Sequence, residues 1–159
     1  MSPLPKHLRP RYRYLAVALE AWPGTALDES GFREALVSSV RSLFGDAGVA
    51  AADPRVIRFS FGDGAGQAIV RTRRDAVDTA RAGLAAIDAV DGAPLAVCVR
   101  GISGTVRGCE ERYLAGRQLR SRESTVVFDG AERRATIRDS RVDVHLETGF
   151  AGATDLDTT

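Results

Sequence analysis

The apolar pattern of this chain alternates between strand and helix periods, and the order of the changes leaves few folds open. Residues 12–20 alternate, with Tyr12, Tyr14, Ala16 and Ala18 on one side and Leu15, Val17 and Leu19 on the other. That is the period of a strand buried on both faces. Trp22-Pro23-Gly24 ends it. Asp28 or Ser30 can cap a helix in which Phe32, Leu36, Val40, Leu43 and Phe44 recur at helical spacing, and Gly45 suits its stop. Residues 56–61 alternate again, with Ile57, Phe59 and Phe61 on one face, and a glycine-rich loop at 62–66 leads into a third strand at 67–73. Asp75 is placed to cap a second helix with Val77, Ala80, Leu84 and Ile87 as its stripe. Asp91-Gly92 then turns into a fourth strand at 95–100. Strand, helix, strand, strand, helix, strand is the split βαβ order of ferredoxin-like, RRM-like α+β domains, with an antiparallel sheet of about four strands.

A third helix, capped by Thr105 and running to about Leu119, is extra to that pattern. Ala16, Ala18, Ala96 and Cys98 fall on one side of their strands and are all small. Such a face expects a cover, and the third helix is the simplest one. The chain therefore divides into an extended basic arm at 1–11, a ferredoxin-like domain at 12–122, a small β appendage at 123–148 and a disordered acidic tail at 149–159. Pro3, Pro5 and Pro10 keep the arm out of a helix. The appendage is read from strands at 125–128, 136–138 and 142–146, with a turn at Asp129-Gly130.

A chain of 159 residues suits one domain with an appendage. No apolar run nears the roughly 18 residues of a membrane helix, and no apolar stretch follows the basic N-terminus as in a signal peptide. Cytoplasmic residence without a membrane partner is the expectation. Cys98 and Cys109 are expected as free, buried thiols, and with His7 and His145 they show no tight ligand spacing, so no protein-bound metal is expected.

The net charge of +1 conceals a split: residues 1–122 carry 18 Lys/Arg against 13 Asp/Glu, and residues 123–159 carry 4 against 8. Of 22 basic residues only Lys6 is a lysine, and asparagine is absent. A GC-rich genome gives that bias without function. A high-salt cytoplasm gives it a purpose, because at molar salt the Debye length is about 3 Å and only direct, bidentate arginine–phosphate contacts keep their strength.

The basic residues concentrate in three places. The arm and first strand, LPKHLRPRYRY at 4–14, bring Lys6, Arg9, Arg11 and Arg13 with no acid, and in an extended chain the arginines share one side. Arg71, Arg73 and Arg74 close the third strand. In VRGISGTVRGCEERYL at 99–114, Arg100 and Arg107 bracket a strand-to-helix turn where Ser103 and Thr105 can cap the helix or donate to a phosphate. Phosphate recognition is the functional reading of these residues, and a solvated surface is the plain one. For Arg112, Arg117, Arg120 and Arg122 both stand equally. The third strand, AGQAIVRTR, has no aromatic residue on which to stack a base, so backbone and shape recognition of folded RNA is favoured over base readout.

No catalytic set emerges. Ser103 has no His or acid companion nearby, and its surroundings miss the G-x-S-x-G pattern. Glu110 and Glu111 diverge by about 100° on a helix. The 62–66 loop lacks the Lys-Ser/Thr of a phosphate-binding loop. A ligand-binding regulatory module on the same fold is the alternative, and it would show a shared pocket. An enzyme resembling acylphosphatase would use an asparagine, which this chain lacks.

LPKHLRPRYRYLAV at 4–17 and RGISGTVRGCEERYL at 100–114 resemble the archaeal ribonuclease P protein component 2 family, and AIVRTRRDAVDTARAGLA at 68–85 resembles its middle segment. The resemblance covers about residues 4–120, and the appendage departs from the minimal family core. With its arginine bias the chain looks like a halophilic archaeal member. The resemblance implies a subunit of the ribonucleoprotein that removes the 5′ leader of precursor tRNA. It implies that RNA is the catalyst, that Mg²⁺ is bound through that RNA with no cofactor on the protein, and that this subunit stabilises the catalytic domain of the RNA without cutting. It also implies three partners: ribonuclease P RNA, precursor tRNA within the complex, and ribonuclease P protein component 3 in a heterotetramer with two copies of each protein.

Overall fold

The computed structural model describes residues 3–116 and 121–158. Strands β1 (Tyr12–Ala21), β2 (Arg55–Gly62), β3 (Ala65–Arg73), β4 (Ala89–Val90) and β5 (Ala93–Ser103) form one antiparallel sheet in the order β2-β3-β1-β5-β4. That is the ferredoxin-like order with the two-residue β4 added at one edge. Helices α1 (Glu29–Ala52) and α2 (Val77–Ala85) lie on one face. Leu15, Val17 and Leu19 of β1 and Val70 of β3 meet Phe32, Leu36 and Val40 of α1 and Leu84 of α2 there, all essentially sealed from solvent. Each such side chain contributes about 1.5–3 kcal/mol by its burial.

Asp28 caps α1 by accepting a hydrogen bond from Gly31 N at 2.7 Å. Gly45, at φ 72°, breaks the helix where a stop was expected, but a second segment continues to Ala52. The break takes the end of the expected stripe off the core: Leu43 and Phe44 are 51% and 44% exposed. A β-bulge in β2 between Val56 and Arg58 likewise makes Ile57 the extra residue, so Val56 joins Phe59 and Phe61 on the core side. Asp75 lies inside a 3-10 turn, Arg74–Ala76, and makes no capping hydrogen bond to α2. The β2–β3 loop is a two-residue turn at Asp63-Gly64, both at positive φ as a type I′ hairpin requires. A Cβ on Gly64 would lie 2.8 Å from the carbonyl oxygens of Ala21 and Trp22, so only glycine fits.

Helix α3 (Val106–Cys109) runs on as a π-helical turn, Glu110–Leu114, across the opposite sheet face. Ala16, Ile69 and Cys109 are sealed beneath it, with Tyr14, Val106, Tyr113 and Leu114 packed around. Gly101 admits the Tyr113 ring, which a Cβ there would strike. Gln67 Nε2 donates to Leu114 O at 3.2 Å. This cover is shorter than expected. Ala18 is half-buried, and Ala96 and Cys98 stay exposed. Cys98 is therefore a free but exposed thiol, unlike Cys109. The expected helical stretch beyond Gly116 reaches into 117–120, which lie outside the described residues.

The appendage is a four-stranded antiparallel meander of β6 (Arg122–Phe128), β7 (Ala131–Arg138), β8 (Arg141–Leu146) and β9 (Gly149–Thr154). Val126, Ala135, Val142 and Val144 form its core. Strand β9 corrects the disordered tail expected at 149–159. GFAGAT has little strand propensity of its own, but it pairs with β8 from Leu146↔Gly149 to Arg141↔Thr154. Asp157 holds its end, accepting from Thr154 N and Oγ1 at 2.9 Å each, and those bonds hold its carboxyl below the usual carboxylate range.

One arginine fastens the appendage to the main sheet. Arg138, 2% exposed, donates to Ala21 O at 3.1 Å, Asp63 O at 2.9 Å and Asp143 Oδ2 at 3.2 Å, and lies 3.5 Å from Glu20 Oε1. Arg141 pairs with the same glutamate. Beside them Trp22 stacks on Phe150 at 5.6 Å between ring centroids. Burial pushes the Asp143 carboxyl above its usual range, more than the Arg138 charge pulls it down.

Candidate nucleic-acid interface

Strand β1 begins where β3 ends. The register pairs Tyr12 with Arg73 and Tyr14 with Arg71, and strand alternation puts all four on the α3 side of the sheet. The Arg71 guanidinium lies 4.3 Å from the centroid of the Tyr12 ring, a cation–π contact that fixes its direction. Arg74 N donates to Arg11 O at 2.9 Å, extending the β1–β3 ladder by one bond. Pro10, Arg11, Arg73, Arg74 and Asp75 line an open recess of about 480 Å³ at this end. The Nε atoms of Arg71 and Arg73 are buried without an acceptor.

The second basic segment arrives through β5, which pairs with the other edge of β1 and sets Ser103 opposite Tyr14. Arg13 donates to Tyr12 O at 3.1 Å, and its Nη1 would lie 4.0 Å from a Cβ on Gly104. Segments about 90 residues apart in sequence thus meet at one end of the sheet. Thr105 is the cap, its Oγ1 accepting from Gly108 N at 3.0 Å, and Ser103 braces it, its Oγ accepting from Thr105 N at 3.3 Å. Each hydroxyl keeps a proton to donate. The helix they start is a single four-residue α turn before the π turn, so its dipole is much weaker than that of a full helix.

Charge pairing separates the candidates. Among the described residues, Lys6, Arg9, Arg11, Arg13, Arg71, Arg73, Arg74 and Arg100 appear in no ion pair, whereas Arg107 pairs with Glu111 at 2.6 Å. Arg100 is exposed at the β-bulge of β5 opposite Ala16 and Val17. The arm is not extended throughout. Lys6–Leu8 form a 3-10 turn closed by Leu8 N donating to Pro5 O at 2.9 Å, and Arg9 Nε turns back to Leu4 O at 2.7 Å. Proline excludes a helix interior but suits the residue before such a turn. Sequence reasoning missed Pro10 as recess wall and Tyr12 as the platform for Arg71. The signal for both was the Pro-Arg-Tyr-Arg-Tyr run at 10–14.

The acidic appendage does not cover this surface. It docks at Glu20–Trp22, the other end of the ten-residue β1, about 30 Å from Tyr12. Among the described residues, no three His, Cys, Asp or Glu side chains gather as a metal-binding group.

A ferredoxin-like sheet with unpaired arginines gathered at one end is an α+β domain with a basic end. The family model described as the Rpp14/Pop5 family matches residues 13–114, from β1 through the π turn, and this chain belongs to that family. A protein of Natronomonas pharaonis called ribonuclease P protein component 2 is 54% identical over 157 residues, covering 99% of this chain and 98% of its own. The protein of the same name from Halorubrum lacusprofundi is 49% identical over 158 residues, covering 99% of each. Its namesake from Archaeoglobus fulgidus is 33% identical over 114 residues, which is 98% of that protein but 72% of this chain. The first two thus span the appendage, and the third has no length left for one. In a cryo-EM structure of yeast ribonuclease MRP, one chain matches over 63% of this chain and 79% of its own, at 18% identity and a TM-score of 0.49.

Proposed function

We propose that this chain is the component 2 protein subunit of ribonuclease P, and that it works by holding the catalytic RNA rather than by cutting. The carrying observation is the convergence of unpaired arginines from the segment before β1, from β3 and from the turn after β3 at one end of the sheet. Direct arginine contacts neutralise phosphates where RNA helices crowd together. That lowers the cost of the active RNA fold and with it the Mg²⁺ the RNA requires. The protein must bind the active fold more tightly than competing folds, since equal affinity shifts no population. In this reading Mg²⁺ is bound through the RNA, the complex acts on precursor tRNA in the cytoplasm, and protein component 3 joins this chain in a heterotetramer. Family membership and the names of the full-length relatives support it.

Reconstitution tests it. The catalytic RNA and the remaining protein subunits are mixed with and without this chain, and 5′ cleavage of precursor tRNA is followed at low Mg²⁺. Strong dependence on this chain is expected. Equal cleavage without it, with the chain folded and at saturating concentration, overturns the proposal.

A further inference from the structure

Resting on the RNA-binding reading above, we propose that Arg71 and Arg73 form a two-phosphate track for successive phosphodiesters of one RNA strand, flanked by Arg11 and Arg74. Lys6, Arg9 and Arg107 lie outside it. The two track residues are i and i+2 on one face of β3, so their side chains leave the strand about 7 Å apart. That matches the spacing of neighbouring phosphates on an extended nucleic-acid strand. Both have a buried Nε with no acceptor, a feature shared with Arg133 and Arg138 of the appendage, and here it coincides with the recess and the shared strand face. An unmet buried donor is costly, and a phosphate oxygen on the Nε–Nη edge supplies what is missing.

The surroundings fix the direction of the track. Tyr12 stacks on Arg71 and orients its plane. The Arg74 N to Arg11 O bond sets the flanking pair beside Arg73. The recess wall beside Arg73 contains no aromatic residue, and the Tyr12 ring is already occupied by the Arg71 guanidinium, so the track follows backbone without reading sequence. Arg107 differs because its charge is already shared with Glu111. Arg9 is turned onto Leu4 O within the arm.

Salt dependence is the direct readout, because each phosphate contact releases counterions. Binding of the full chain to the ribonuclease P RNA is measured across a salt series for the wild type and for Arg71→Gln, Arg73→Gln and Arg107→Gln. The log–log slope is expected to fall by about one for each track variant and to stay unchanged for Arg107→Gln. Arg73→Lys keeps the charge and is expected to restore the slope, which separates lost contact from lost fold. A second arm uses UpU and UpUpU, which carry one and two phosphodiesters. The wild type is expected to bind UpUpU several-fold more tightly, and Arg71→Gln to erase the difference. Unchanged slopes in the track variants, or equal binding of the two oligonucleotides, overturn the track while leaving the subunit reading intact. Absence of any RNA binding by the wild type overturns both.

Discussion

Replacing Arg138 by alanine is expected to undo the joint between appendage and sheet. The side chain is nearly sealed and serves two carboxylates and two backbone carbonyls. Removing one partner of a buried ion pair costs about 3–5 kcal/mol, because the remaining charge is stranded. Two features move the expectation to the low end of that range. Glu20 keeps Arg141 as a partner, and burial already raises the Asp143 pKa, so its charged form holds less of the joint's stability. About 3 kcal/mol of destabilisation near neutral pH is the result, read by urea unfolding at fixed salt. A control shows that the cost lies in stranded charge rather than lost packing: Arg138→Met with Asp143→Leu is expected to recover part of the loss. Arg138→Ala within about 0.5 kcal/mol of the wild type would refute the reasoning and make the joint a surface contact.

Further outcomes follow from the same geometry. Because burial raises the Asp143 pKa in the folded state, its contribution to stability is fully present below the unfolded value and is lost as pH rises through the folded one. Asp143→Asn is expected to remove that acid-range slope from an unfolding-versus-pH series. Cys98 is expected to react with a maleimide in the native state, while Cys109, sealed under α3 and donating to Tyr14 O at 3.2 Å, reacts only on unfolding. Mass spectrometry of the singly labelled chain reads this. Gly101→Ala drives a methyl into the Tyr113 ring and is expected to cost about 1–3 kcal/mol, with the α3 cover loosened and Cys109 becoming reactive. A chain lacking residues 122–159 is expected to keep the RNA affinity of the full chain, since the appendage sits at the far end of β1. A marked rise in affinity on truncation would mean that it shields the arginines after all.

The strands and helices of the main sheet were legible because their apolar periods are long and unambiguous. Leu15, Val17 and Leu19 point to one layer whatever else is true. Features decided by tertiary contact were not legible. Arg138 reads in sequence as one more arginine in an alternating strand, and nothing local marks it as the joint. Strand β9 is poor in strand formers and exists because β8 offers it a ladder and Trp22 offers Phe150 a stacking partner. The arginine end was half legible. The sequence grouped Arg71, Arg73 and Arg74 by adjacency and Arg11 with the arm. Only the β1–β3 register joins the groups, and only the ion pairs show that Arg107 differs from the others.

In the proposed function this chain lowers the Mg²⁺ demand of RNA-catalysed cleavage through its arginine end. The measurement that tests it most directly is the Mg²⁺ midpoint of precursor-tRNA cleavage in the reconstituted complex. It is taken without the chain, with the wild type, and with Arg71→Gln/Arg73→Gln, each protein at saturating concentration. A low midpoint is expected with the wild type, and a midpoint shifted back toward the chain-free value with the double variant. A double variant with the wild-type midpoint would overturn this role for the arginines, as would a wild type that leaves the chain-free midpoint where it was.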